Sequence, residues 1–197
     1  MTTEFTRERT VTTEIGNVPE PSGRDVATDN EFGLQGVDHV ALPTRNIRLL
    51  ERFMREVLGG RPFYYAGFDE TDRQMGRRPH VFARVGRTLF QFTEEPNAVL
   101  NGKDDSHISP HTAFRVTAAD LDRNTAWLKR QGIPVAGPYG HRDSSAVSVY
   151  FQSPEGHKLE LVTWEPYPAE KVTMIGVKGA RVDWPSLANN WPNSGAL

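Results

Sequence analysis

A strand, a helix and three strands follow one another twice along this chain, and few folds can be built from such a repeat. VDHVAL alternates as a short strand. NIRLLERFMREVLGG then sets Ile47, Leu50, Phe53, Met54, Val57 and Leu58 at helical spacing until Gly59 and Gly60 stop it. Three strands are expected next, in RPFYYAGF, HVFARV and TLFQF, the last two joined by a tight turn at Gly86-Arg87. After the polar stretch TEEPNAVLNGKDDSHISP the pattern restarts. TAFRV reads as a strand, and TAADLDRNTAWLKRQG as a helix with Ala119, Leu121, Ala126, Trp127 and Leu128, ending at Gly132. IPVAGPY, SAVSVYFQ and HKLELVTW are strands again, with Ser153-Pro154-Glu155-Gly156 as a turn whose glycine can take a positive φ. Two βαβββ modules, at about 36–95 and 110–165 within a domain of residues 35–165, predict an α+β fold. Laid side by side they form one curved, eight-stranded mixed sheet with helices outside and a cleft inside.

The chain has 197 residues and 22.1 kDa, enough to hide about 70% of its unfolded surface, so a full core needs no staples. Cys is 0, which excludes disulfides. Residues 1–34 are polar, contain Gly16, Pro19, Pro21 and Gly23, and lack any helical or strand period, so they read as an arm. Residues 166–197 carry Pro166, Pro168, Pro185 and Pro192 with Trp184 and Trp191, an irregular tail packed by aromatic anchors. Lys plus Arg number 23 against 25 Asp plus Glu, with no basic run, which disfavours nucleic acid as a partner. The mean hydropathy is −0.55, no long apolar run occurs, and MTTEFTRERTVTTEIG has no apolar leader core. A cytoplasmic protein without a membrane partner is expected.

Strand alternation sorts the chemistry. Val37, His39 and Ala41 share one face of the first strand, His111, Ala113 and Arg115 one face of the fifth, and Glu160 and Val162 one face of the last. His39, His111 and Glu160 are therefore expected on the cleft side. A lone strand histidine is more often an ordinary core or surface residue, but two imidazoles and a carboxylate on one concave surface form the facial triad of a non-haem Fe(II) or similar divalent ion. The cleft becomes a metal-binding one. His157, next to the turn glycine, is expected to face outward.

GVDHVALPT, PHTAFRV and YFQSPEGHKLELV together resemble the vicinal oxygen chelate superfamily of glyoxalases, fosfomycin-resistance enzymes, epimerases and extradiol dioxygenases, over about residues 36–165. The resemblance implies the same three metal ligands, His39, His111 and Glu160. The run from His141 to Tyr150, followed by Pro154-x-Gly156 and Glu160, is similar to the extradiol dioxygenase signature, from which Tyr139 and Ser153 depart. It implies an Fe(II) enzyme, with Mn(II) the other candidate, that cleaves a catechol with O₂ beside the diol. Tyr150 and His141 would hydrogen-bond the catechol oxygens and His80 would carry the proton, with His107 as the other candidate. Arg77, Arg78, Arg84 and Arg115 would take a carboxylate on the substrate. MGRRPHVFARVG and the short length look similar to L-DOPA 2,3-dioxygenases of antibiotic biosynthesis.

Other chemistries of the superfamily stay open. Gln91 falls where glyoxalases and epimerases have a fourth ligand, which suits a lyase or isomerase. SPEGHKLEL is similar to the DPDGHKLEL of fosfomycin-type thiol transferases, although Ala41 stands where those have a hydroxyl residue; Ser144 and Ser148 resemble their potassium-loop serines. A metal-free, bleomycin-sequestering protein has the same fold without the triad. A homo-oligomer is expected, the modules pairing either within one chain or between two.

Overall fold

A computed structural model describes residues 37–98, 110–141, 144–175 and 181–192. The expected arm and His107 lie outside the described residues.

The first module runs β1 (His39–Thr44), α1 (Ile47–Glu56), β2 (Arg61–Ala66), α2 (Glu70–Gln74), β3 (His80–Val85) and β4 (Thr88–Glu94). Asn46 caps α1 by accepting the Leu49 amide at 3.1 Å, and Ile47, Leu50, Phe53 and Met54 form the buried stripe that the spacing predicts. Gly86, at φ +58°, makes the β3–β4 turn. The single turn of α2 has no apolar period. It forms because Asp69 caps it and Asp72 reaches back to the Gly67 amide at 2.5 Å.

The second module runs β5 (Thr112–Arg115), α3 (Ala118–Arg130), β6 (Ala136–His141), β7 (Val147–Gln152) and β8 (Lys158–Thr163). Thr117 caps α3, whose buried side is only Leu121 and Leu128; Ala119 and Ala126 are exposed, and Trp127 donates its indole N–H to the Val57 carbonyl at 3.0 Å. Gly156 takes the expected positive φ, +90°.

The strands are hydrogen-bonded as two sheets, β1-β4-β3-β2 and β5-β8-β7-β6-β9. β1 pairs parallel with β4 and β5 parallel with β8, and the other pairings within each module are antiparallel. β9 (Thr173–Ile175) comes from the tail, where no strand was expected. It lies parallel to β6, and it fits because any side chain on Gly140 would collide with Val172 and Met174.

Both sheets turn one face to a single core. Phe90 and Phe92 of β4, Phe53 of α1, Leu159 and Leu161 of β8, and Phe151 of β7 are buried in the same cluster, and Phe90 meets Phe114 at 5.8 Å. Polar contacts lock the modules together as well. The buried Glu155 accepts hydrogen bonds from the Thr44 hydroxyl and from the Arg45 and Asn46 amides at 3.0 and 2.9 Å. His157 is not outward-facing: it is 9% exposed, with Nε2 2.8 Å from the Pro43 carbonyl and Nδ1 2.9 Å from Ser153 Oγ. The turn carrying it is the plug between the modules, so burial holds its imidazole below the usual histidine range.

Candidate metal centre

Alternation along β8 sends Leu159 and Leu161 to the core, which leaves Glu160 on the opposite face. Register does the rest. Glu160 stands beside Tyr150 of β7 and Ala113 of β5, and His111, just before β5, brings Nε2 to 2.6 Å from Glu160 Oε2. The Glu160 side chain is 8% exposed and that of His111 27%, so the pair is reached from the imidazole side. Burial works against ionisation of Glu160, but hydrogen bonds from His111, Ser148 and Tyr150 outweigh it and hold the carboxyl below its usual range.

Tyr150 closes the back of this pair. Its ring meets His111 edge-on at 5.8 Å, and its hydroxyl lies 3.4 Å from His141 Nε2, which also sits 2.9 Å from Ser148 Oγ. Burial, reinforced by the Glu160 charge, pushes the phenol up, and burial pushes the His141 imidazole down. At neutral pH both are uncharged. His111, Glu160, Tyr150 and His141 thus form one connected cluster, with Ser148 beneath it.

His39 is elsewhere. It stands on the outer face of the first sheet, with Nδ1 2.6 Å from Asp38 Oδ1 and its ring edge-on to Phe82 at 6.0 Å. Among the described residues no three His, Cys, Asp or Glu gather to hold a metal ion. The expected triad is therefore not assembled within one chain. Because the two sheets bury the Phe90 and Leu161 sides in one core, the His39 and Glu160 sides are the outer faces of different sheets.

The other expected substrate residues are scattered too. His80 lies on the first module's outer face, between Tyr64 and Phe82, with Nδ1 3.0 Å from the Arg78 carbonyl. Arg77 donates to the Tyr64 hydroxyl at 3.0 Å and faces Asp72 at 3.4 Å, and Arg78 pairs with Glu95, so protein groups take up both cations. Arg84 shares the His39 face, one β3 position beyond Phe82 on that side. Arg115 lines a cavity of 560 Å³ at the module junction, with Phe114, Trp127 and Leu161, and stands one β5 position beyond Ala113 on the Glu160 face. Gln91 donates to Thr93 Oγ1 at 3.3 Å.

Sequence reasoning missed Trp184. Its ring lies against His111 at 6.2 Å and Tyr150 at 5.5 Å. Nothing periodic surrounds it in the sequence; the only signal was an aromatic residue in a proline-rich tail.

The fold is a pair of βαβββ modules, and the family model for the glyoxalase/bleomycin resistance protein/dioxygenase superfamily matches residues 36–161. The chain belongs to that superfamily. Among its relatives is the metallothiol transferase FosB of Staphylococcus epidermidis strain ATCC 12228, 24% identical over 130 residues, 66% of this chain and 82% of that one. The fosfomycin resistance protein FosX of Mesorhizobium japonicum is 21% identical over 131 residues, 66% of this chain and 86% of that one. In the same fold are a glyoxalase family protein from Enterococcus faecalis, 19% identical with a TM-score of 0.55 over 66% of this chain and 98% of that one, and FosX from Listeria monocytogenes with Mn(II) and sulfate, 17% identical with a TM-score of 0.50 over 70% and 97%.

These relatives overturn the extradiol dioxygenase expectation, and with it catechol, O₂ and L-DOPA as partners. They are thiol transferase and fosfomycin-resistance proteins. Among these relatives, FosB is named a metallothiol transferase and the Listeria monocytogenes FosX structure holds Mn(II); neither speaks for Fe(II).

Proposed function

We propose that the chain is a metal-dependent enzyme of the fosfomycin-resistance type, adding a thiol or water to a small oxygen-rich electrophile. Its centre is built from His111 and Glu160 of one copy with His39, and Gln91 as a further oxygen donor, of a second copy.

One observation carries this reading: the two modules hold equivalent half-sites in the same register. In the second module Ala113, Glu160 and Tyr150 stand side by side across β5, β8 and β7, with His111 two residues before the alanine. In the first, Ala41, Gln91 and Phe82 stand side by side across β1, β4 and β3, with His39 two residues before the alanine. The ring contacts repeat as well, His111 on Tyr150 at 5.8 Å and 77°, His39 on Phe82 at 6.0 Å and 69°. Since the half-sites face outward on different sheets of one chain, a second copy is what brings them together. Two imidazoles, a carboxylate and an amide oxygen make a mixed nitrogen and oxygen set that suits Mn(II) and similar ions.

A divalent cation there would act as a Lewis acid toward substrate oxygens. The chain's own groups do the rest. Tyr150 holds a protonated hydroxyl beside Glu160, placed to hydrogen-bond a substrate oxygen as negative charge grows on it. Neutral His141 is placed to accept the proton of the incoming thiol or water through the Tyr150 and Ser148 hydroxyls. Arg84, on the His39 face, draws an anionic group toward the centre.

The test is titration of the full chain with Mn(II), followed by fosfomycin with a small thiol or with water alone, the product read by mass spectrometry. Ring-opened product that depends on Mn(II) is the expected result. Metal binding without ring opening overturns the substrate class and keeps the centre, whereas absence of metal binding overturns the centre itself.

A further inference from the structure

The family match ends at residue 161, yet the site does not. Residues 181–192 form a strap that crosses from the His111–Glu160 pair to the first module's helix. Leu187 and Trp191 anchor it by burial, Trp191 packing edge-on against Phe53 at 5.5 Å. Gln152, on the outer face of β7, is bonded from both ends: its side-chain amide donates to the Trp184 carbonyl at 2.9 Å, and its carbonyl accepts from Asn189 at 3.0 Å. Trp184 is thereby fixed over the pair, with the Lys158 ammonium 5.5 Å from its ring centre.

The consequence falls on His111. This histidine precedes an edge strand of four residues, so backbone pairing alone constrains its ring weakly. Glu160 holds one nitrogen. Tyr150 meets the ring edge-on, and Trp184 lies across it at 6.2 Å with 39° between planes. Carboxylate, phenol and indole together restrict the imidazole.

We propose that Trp184 is a positioning residue of the metal centre, holding the His111 ring where its nitrogen meets Glu160, so that the strap beyond the family match is a working part of the site. This rests on the proposed metal centre. A ligand whose ring must first be ordered binds its ion more weakly, and loss of groups that orient metal ligands costs about 10–100-fold in affinity.

The experiment is Mn(II) titration of the full chain, with free Mn(II) read by electron paramagnetic resonance and folding checked by circular dichroism. Trp184→Ala should weaken binding about tenfold or more, while Trp184→Phe, which keeps a ring, should recover most of that loss. Leu121→Ala, on the core side of α3 and outside the strap, should lower the melting temperature and leave affinity near wild type. Bound Mn(II) should also quench tryptophan emission in wild type, and the quenching should shrink in Trp184→Phe, a readout that stands even if the alanine variant fails to fold. Unchanged affinity in Trp184→Ala, an equal loss in Leu121→Ala, or quenching indifferent to Trp184 overturns the proposal while the centre stands. Absence of Mn(II) binding in wild type overturns both.

Discussion

β3 and β7 are equivalent strands of the two modules, and they live in different surroundings. β3 alternates: Val81, Ala83 and Val85 are buried, while His80 and Phe82 are half-buried and Arg84 is exposed. β7 is buried at every residue from Val147 to Gln152. The core side is common to both, so the difference comes from what covers the outer face. The strap lies over the second module. The first is left with Phe63 at 58%, Tyr64 at 42% and Tyr65 at 54% exposure. Register made two equal half-sites, and covering made them unequal: the half that is shielded from water holds the carboxylate, and the open half holds a neutral amide. A buried carboxylate stays ionised only with partners, which His111, Ser148 and Tyr150 supply. Gln91, half-buried, needs only Thr93.

Removing the cover should have the largest effect on stability. Trp191→Ala empties a site 5% exposed beside Phe53 and should cost about 3–5 kcal/mol in urea unfolding, the range for large aromatic truncations. A loss below about 1 kcal/mol would mean the strap is a surface ornament. Next comes the plug between the modules. Glu155→Ala strands the Thr44 hydroxyl and two amides and should cost about 2–3 kcal/mol. A neutral result there would show that the modules are joined by the apolar core alone.

Acid should then weaken the fold through His157. Its folded pKa lies below the unfolded value of about 6.5, so the unfolded chain takes up the proton first as pH falls. Stability is full above about pH 6.5 and is lost as pH drops toward the lowered folded value. His141 adds the same sign. His157→Gln should therefore flatten, without abolishing, the fall in urea midpoint as pH drops below about 6.5; an unaltered slope would remove His157 from the account. Arg77→Ala, on the open module, should change stability by less than about 0.5 kcal/mol, since its guanidinium is exposed and Asp72 keeps its bond to the Gly67 amide.

Much of this comparison was legible in the residues. The α1 stripe, the Gly86 and Gly156 turns, and the placing of Glu160 and His111 on one face follow from period and turn chemistry. What alternation cannot say is which partner a face meets. His39 was put on its correct sheet face, but the meeting of that face with Glu160 depends on how the modules pack, and Phe90 against Phe114 decided otherwise within the chain. His157 looked like a turn residue because only the Pro43 carbonyl, 114 positions away, reveals that the turn is a plug. Trp184 and β9 stand in a segment without period, so their partners, His111 and Gly140, had to be seen in space. The dioxygenase expectation failed for a related reason. His141 and Tyr150 do form a linked pair, but such a pair can serve more than one chemistry on one scaffold.

The central claim is that the two half-sites of different copies complete each other, and mixing two broken chains tests it most directly. His39→Ala lacks the first half-site and Glu160→Ala lacks the second, so neither alone should bind Mn(II) with wild-type affinity. Unfolded together and refolded as a mixture, they should regain tight binding, because each mixed pair joins the intact His39 of one chain to the intact His111 and Glu160 of the other. Failure of the mixture to regain tight binding, with wild type refolded alongside recovering its own, would contradict the account.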